Sequence, residues 1–219
     1  MTTLPTIDWT KSGGLVPAVI QDADTQQVLM LGYMNAEALS QTVTTKRVTF
    51  FSRSKNRLWM KGETSGHFLD LVDLAADCDS DALLVRARPN GPTCHRGTCS
   101  CFSEGGATGA GFLAELDRVV QGRLSEGDEK SYTVRLVREG VTRVAQKVGE
   151  EGVETALAAV TASNADFAGE AADLLFHLIV LLRAKGLTLA DATAVLEKRH
   201  AAKKQLASGR PSVTASPAK

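Results

Sequence analysis

The stretch from Ser103 to Gly111, almost entirely Ser, Gly, Ala and Thr, divides this chain into two segments with different hydrophobic patterns. Before it come short apolar runs of strand length: Leu15 to Ile20, Gln27 to Met34, Val48 to Phe51, Phe68 to Val72 and Ala82 to Ala87. Turn residues such as Asp22-Ala23-Asp24 separate them, and Asn35 is placed to cap a helix starting at Ala36. From Phe112 to Lys204 the pattern is helical, with no strand-like alternation. The expected architecture is an α+β, β-rich unit over residues 1–103, a linker over 104–111 and an all-α unit over 112–204. The Ser-, Pro-, Ala- and Lys-rich residues 205–219 are expected to be a disordered tail. A chain of 219 residues can give each unit its own core.

Composition narrows the function. Lys plus Arg and Asp plus Glu both number 25, so overall charge gives no case for binding nucleic acid or an anionic membrane. The longest apolar run, Leu174 to Leu182, contains His177 and is too short to span a bilayer. The start, MTTLPTIDWTKSGG, lacks the basic and apolar regions of a signal peptide, so a cytoplasmic location is expected. There, four cysteines read as metal ligands or reactive thiols rather than disulfide partners.

The densest chemistry lies between Asp77 and Cys101. Asp77, Asp79 and Asp81 are hard oxygen donors; Cys78, Cys94 and Cys101 are soft sulfur donors, and His95 and Cys99 lie among them. On a strand the three aspartates would share one face and Cys78 would take the other. An EF-hand is excluded, because its glycine and its closing glutamate would fall on Ala82 and Arg88. The sulfur set leaves two readings open. Cys99 or His95 closes a structural zinc site, or water takes the fourth place of a catalytic one with His95 available for proton transfer. Upstream, Arg53 to His67 supplies Arg53, Ser54, Lys61, Thr64 and Ser65, donors suited to phosphate oxygens, although a solvated hairpin would look similar.

The helical half has its own acidic constellation. At about 100° per residue, Lys147, Glu150, Glu151 and Glu154 share one sector of a helical wheel. Val141, Val144, Ala145, Val148 and Ala156 are assigned to a largely opposite apolar stripe. Glu170 and Asp173, three residues apart, lie in a helix apolar on nearly every side, which predicts burial. Five carboxylates from facing helices need divalent cations between them, and Mg²⁺ takes carboxylates together with phosphates. His177, one turn after Asp173, either joins this site or is a hydrogen-bonded core histidine, and the second reading is preferred. Lys147 either contacts a phosphate or offsets its glutamate neighbours.

The ordered motifs Ser52-Arg53-Ser54, Leu58-Trp59-x-Lys61-Gly62-Glu63-Thr64-Ser65-Gly66, Asp77-Cys78-Asp79-x-Asp81 and Gly91-Pro92-x-Cys94-His95-x-Gly97-x-x-Ser100-Cys101-Phe102 resemble phosphoribosyl-AMP cyclohydrolase of histidine biosynthesis. The resemblance implies Mg²⁺ on Asp77, Asp79 and Asp81, and Zn²⁺ on Cys78, Cys94 and Cys101. It also implies a homodimer in which Cys78 of one protomer meets Cys94 and Cys101 of its partner. Arg53, Ser54, Trp59, Lys61, Glu63, Thr64 and Ser65 would bind substrate, and His95 would act in catalysis. The implied reaction is hydrolytic opening of an adenine ring, with water adding at carbon 6 and the bond to N1 breaking. Arg96 departs from the Thr common in the family.

Lys130-Ser131-Tyr132-Thr133 and Gln146 to Glu151, with Glu154, Glu170 and Asp173, resemble phosphoribosyl-ATP pyrophosphohydrolase. There the implied reaction is water attack between the α and β phosphates, with Glu150, Glu151, Glu154, Glu170 and Asp173 as catalytic metal ligands and Lys147 at the substrate. The domain order is that of the fused bifunctional enzymes, whose nucleotide substrates are phosphoribosyl-ATP and phosphoribosyl-AMP. Two rivals stand beside this reading: a house-cleaning nucleotide pyrophosphatase fused to a zinc nucleotide hydrolase, and a non-catalytic zinc scaffold.

Overall fold

A computed structural model describes residues 4–102 and 105–208, with the side chains of 205–208 left undescribed. The chain divides into two compact units, Met1–Glu115 and Leu116–Lys219. As expected, the first is α+β and the second all helical.

The first unit is built on a four-stranded sheet of β1 (Val16–Asp22), β2 (Val28–Met34), β5 (Leu69–Ala76) and β6 (Leu83–Pro89), in the order β2-β1-β6-β5. The β1–β6 pair is parallel and the outer pairs are antiparallel. Alternation along β1 sends Val16, Ala18 and Ile20 into the core. Between β2 and the next strand lies α1 (Ala36–Thr45), and the Asn35 side chain caps it by accepting from the Ala38 N–H at 2.8 Å. A separate hairpin of β3 (Thr49–Ser52) and β4 (Arg57–Met60) carries Phe50 and Trp59, which stack with ring centroids 5.5 Å apart. Phe50 comes so close to Gly32 of β2 that a Cβ there would lie 2.3 Å from its ring. That glycine is what lets the hairpin seat on the sheet, and Trp59 packs against the core rather than standing in solvent.

One local expectation fails here. Residues 77–81 form the turn joining β5 to β6, not a strand. Asp77 Oδ1 accepts from the N–H groups of Asp81 and Ala82 at 3.0 and 3.1 Å, and Ser80 takes a positive φ of 63°. Short polar side chains that bond nearby amides favour such a turn over extended backbone. The aspartates therefore converge because the chain bends, and face alternation has no part in it.

The second unit comprises most of α2 (Ala110–Glu126), then α3 (Tyr132–Arg138), α4 (Val141–Thr161), α5 (Asn164–Ala184) and α6 (Leu189–Ser208). Ser163 caps α5 by accepting from the Asp166 N–H at 3.2 Å. Arg183 on α5 forms a bidentate pair with Asp117 on α2 at 2.6 and 2.7 Å, and the Leu189 N–H at the start of α6 donates to the same carboxylate. The helix α6 continues through Ser208, into the span expected to be a tail; residues 209–219 lie outside the described residues.

The wheel assignment of α4 also needs correcting. Its buried residues are Val144, Glu151 and Ala158, spaced by seven, and seven residues return to within about 20° of the same face. Val144 therefore shares the Glu151 face, while Val141, Ala145 and Ala156 are exposed. Nor is α5 buried all round: Leu175 and Leu178 are exposed on the chain as it stands. Among the described residues, no helix is long and apolar enough to cross a membrane.

Candidate active sites

In the first unit, a cavity of about 460 Å³ opens where the β4 end, the loop after it and the loop after β6 meet. Trp59, Lys61, Glu63, Thr64, Ser65, Cys94, His95 and Cys101, all predicted from sequence, line it. Local backbone explains the convergence. Gly62, at φ 88°, has no room for a Cβ because the His67 carbonyl would lie 2.5 Å away, so the loop folds tightly over the cavity. The Cys94 N–H donates to Thr98 O at 3.0 Å in a tight turn. The Cys101 N–H donates to Leu29 O at 2.8 Å, and the buried Ser100 hydroxyl donates to Val28 O at 2.8 Å. These two bonds lash the second cysteine to the free edge of β2.

The Cys94 and Cys101 thiols are close enough to shift one another's ionisation. The Arg96 N–H, Thr98 and Cys101 hold the Cys94 thiol below the usual range, whereas burial pushes Cys101 up. The His95 ring nitrogen Nδ1 stands 3.9 Å from Cys94 Sγ. Lys61 is buried; its ammonium donates to His67 O at 3.3 Å, and burial lowers its pKa against the opposing pull of Cys101 and Cys94. Glu63 is held by Arg57 at 2.6 Å and lies below the ordinary carboxylate range for that reason. Arg53 and Ser54 do not line the cavity. Arg53 lies over the Tyr33 ring, 3.8 Å from its centroid, and Ser54 sits at the hairpin turn.

Asp77, Asp79 and Asp81 bring carboxylate oxygens within 4.8 Å of one another. Desolvation, then the charges of Asp79 and Asp77, raise the Asp81 carboxyl, while the turn amides lower Asp77. This crowded all-oxygen set suits a hard cation. Lys11, from a segment with no local sign of this role, donates to Asp79 Oδ2 at 3.0 Å and reaches Asp81 at 3.9 Å. Cys78 is exposed on the same turn, its thiol 4.0 Å from Asp79 Oδ1. Among the described residues it does not join Cys94 and Cys101 in a group able to hold a metal. Two thiols in one chain are fewer than zinc normally takes, so the sulfur set fits zinc only if another donor arrives.

In the second unit, Glu151, Glu154 and Glu170 converge to within 4.8 Å. Glu151 is buried, with Oε1 2.8 Å from Lys147 Nζ, and Lys147 holds its carboxyl below the ordinary range. The charge of Glu151 is the leading cause of the raised Glu154 carboxyl. Lys147 bridges to Glu150 at 3.0 Å, and its two glutamate partners raise its pKa well above the usual lysine value. Glu150 also meets Gln146 and Arg143 and stays outside the group of three. Asp173 is exposed and likewise outside it, though its carbonyl accepts from His177. The trio is an oxygen-only, partly buried donor set, as Mg²⁺ requires.

Sequence reasoning missed several contributors. The Thr155 hydroxyl reaches both Glu151 O at 2.7 Å and Glu170 O at 3.1 Å, joining the two acid-bearing helices. Its position four residues after Glu151 was the available signal. Tyr132 contacts His177, and Thr93, Met30 and His67 line the first cavity; nothing in their local sequence marks these roles.

Comparison with known proteins finds a separate match for each unit. The family model for phosphoribosyl-AMP cyclohydrolase matches residues 30–103, and that for phosphoribosyl-ATP pyrophosphohydrolase matches residues 113–200. The "Histidine biosynthesis bifunctional protein HisIE" of Xylella fastidiosa strain Temecula1 is 59% identical over 197 residues, covering 90% of this chain and 94% of the relative. The protein of the same name from Photobacterium profundum is 53% identical over 205 residues, covering 91% and 99%. That of Escherichia coli K12 is 53% identical over 194 residues, covering 89% and 95%. With both family models matched in order along one polypeptide, the chain belongs to the HisIE family of bifunctional histidine-biosynthesis enzymes, a cyclohydrolase followed by a pyrophosphohydrolase.

Proposed function

We propose that the two units catalyse consecutive hydrolyses on one nucleotide. The helical unit cleaves phosphoribosyl-ATP between its α and β phosphates, and the N-terminal unit opens the adenine ring of the phosphoribosyl-AMP so formed. The observation that carries this reading is the separation of donor chemistries: a thiol-lined cavity in one unit and converging carboxylates in the other.

In the helical unit, Glu151, Glu154 and Glu170 would hold Mg²⁺, with Glu150 and Asp173 completing the acidic set. Bound there, Mg²⁺ supplies the positive charge that lets carboxylates and phosphate oxygens share a site. Lys147, fully charged between its glutamates, restrains Glu151 and meets the substrate phosphates. Water attacks phosphorus, the bridging P–O bond breaks and pyrophosphate leaves.

In the N-terminal unit, Cys94 and Cys101, with Cys78 of the partner subunit, would hold Zn²⁺; Asp77, Asp79 and Asp81 would hold Mg²⁺. Bound there, Zn²⁺ supplies Lewis acidity toward water. Trp59 offers a flat face to the purine, while Lys61, Thr64 and Ser65 donate to substrate oxygens and Arg53 and Ser54 assist from the hairpin turn. The Thr93 hydroxyl, buried in the cavity wall without a protein partner, is ready for a polar occupant. His95 moves a proton between the attacking water and the ring nitrogen released from carbon 6. A cytoplasmic homodimer fits this scheme, since it brings the third thiol.

The test is a two-substrate assay on the purified chain before and after chelation, with Zn²⁺ and Mg²⁺ restored separately. Both rates should fall on chelation and recover with different metals. Preference for ordinary or damaged nucleoside triphosphates over phosphoribosyl-ATP, or rates indifferent to chelation, would sink the reading.

A further inference from the structure

His177 is buried on α5 and does more than fill the core. Its Nδ1 lies 2.9 Å from the Asp173 carbonyl, which can only accept, so Nδ1 carries a proton. The same Nδ1 stands 3.5 Å from Glu151 Oε1. In the neutral ring Nε2 is then left to accept from the Tyr132 hydroxyl, 3.0 Å away on α3. Tyr132 also stacks on Phe176 and meets the imidazole edge-on, so the ring plane is fixed from two directions. Glu151 Oε1 accepts from Lys147 and also faces the protonated Nδ1 edge of His177 at 3.5 Å, while the His177 proton itself goes to the Asp173 carbonyl.

We infer that His177, oriented by Tyr132, is a positioning residue that aims the Glu151 carboxylate at the divalent cation of the pyrophosphohydrolase site. The inference rests on reading Glu151, Glu154 and Glu170 as the metal-holding group. Imidazole acts here one step away from the metal, as an outer partner that orients a ligating carboxylate. Burial alone does not account for the arrangement. A purely space-filling residue needs no matched acceptor and donor on its two nitrogens, and a leucine would fill the same volume while taking the Tyr132 hydroxyl's partner away.

The test uses three substitutions in the full chain. Asn at 177 keeps an N–H near the position of Nδ1, Leu keeps volume alone, and Gln reaches toward Nε2 while vacating the Nδ1 position. Binding is read with Mn²⁺ alone, by electron paramagnetic resonance. The background carries Asp77→Asn, Asp79→Asn and Asp81→Asn, so that the helical site is the one titrated. Pyrophosphate release from phosphoribosyl-ATP is measured in parallel. The Mn²⁺ dissociation constant should rise about tenfold or more in His177→Leu, stay within about threefold of wild type in His177→Asn, and kcat should follow the same order. Thermal stability should rank the other way, with Leu at least equal to Asn. Tyr132→Phe should weaken Mn²⁺ binding in the same direction by a smaller factor.

The proposal is overturned if Leu and Asn bind Mn²⁺ within about twofold of each other. If Leu fails to fold, Gln replaces it, and binding by Gln as tight as by Asn overturns it equally. Absence of Mn²⁺ binding in the parent background would instead remove the metal reading beneath it. Binding without turnover of phosphoribosyl-ATP would remove the substrate assignment while leaving the positioning role measurable.

Discussion

The Thr155 hydroxyl on α4 sits 3.1 Å from the carbonyl oxygen of Glu170 on α5, so one small side chain ties together the two helices that carry the acidic group. The same hydroxyl reaches Glu151 O, one turn back, at 2.7 Å. Replacing it with valine keeps the shape and deletes the tie. Thr155→Val should cost about 1 kcal/mol of stability, the net worth of one hydrogen bond. Its effect on pyrophosphate release should be larger, a loss of about threefold to tenfold in kcat, with ring opening unchanged. Thr155→Ser should recover most of it; equal rates for Val and Ser would refute a role for the hydroxyl.

Removing one member of the buried Asp117–Arg183 pair strands the other. Asp117→Ala leaves a guanidinium without its bidentate partner and frees the Leu189 N–H. Denaturant unfolding should show a loss of about 3–5 kcal/mol. Asp117→Leu combined with Arg183→Met should lose much less than the single substitution, since no unpaired charge remains.

The two chemistries should separate by substitution. Cys101→Ala should abolish ring opening while pyrophosphate release continues, and Glu151→Gln should do the reverse with added phosphoribosyl-AMP still consumed. A folded variant that silences both reactions would mean that the residues do not serve two sites.

The Glu154 carboxyl is raised above its ordinary value of 4.5, first by the charge of Glu151, so its ionisation weighs against the metal-free fold. The sign follows from linkage. Below the unfolded pKa the group is protonated in both states and costs nothing; the cost appears as pH rises through 4.5 and is complete above the raised folded value. Glu154→Gln should therefore raise the melting temperature of metal-free protein at pH 7 and leave it unchanged near pH 3.5. Saturating Mg²⁺ should reverse the order at pH 7. A gain that is independent of pH would point to propensity rather than charge.

Much of the architecture was legible because local rules and tertiary structure agree. Asn35 caps the helix it was expected to cap, and the alternating residues of β1 enter the core. The failures have physical causes. Asp77-x-Asp79-x-Asp81 imitates a two-residue period, but aspartates that bond their neighbours' amides make a turn. The α4 wheel went wrong at Val144, which lies seven residues before Glu151 and therefore beside it. The partners of His177 and Asp79 were out of reach, since Tyr132 and Lys11 come from 45 and 68 residues away.

The parallel pairing of β1 with β6 bears on how the chain is made. Of the two inner strands of the sheet, β1 is synthesised first, so one of its hydrogen-bonding edges has no partner until Leu83–Pro89 emerges from the ribosome. By contrast, α4 and α5 are joined by only two residues, and such a hairpin can close almost as fast as it appears. The half of the enzyme that is translated first therefore carries the slower assembly, and its exposure to misfolding during translation is the longer.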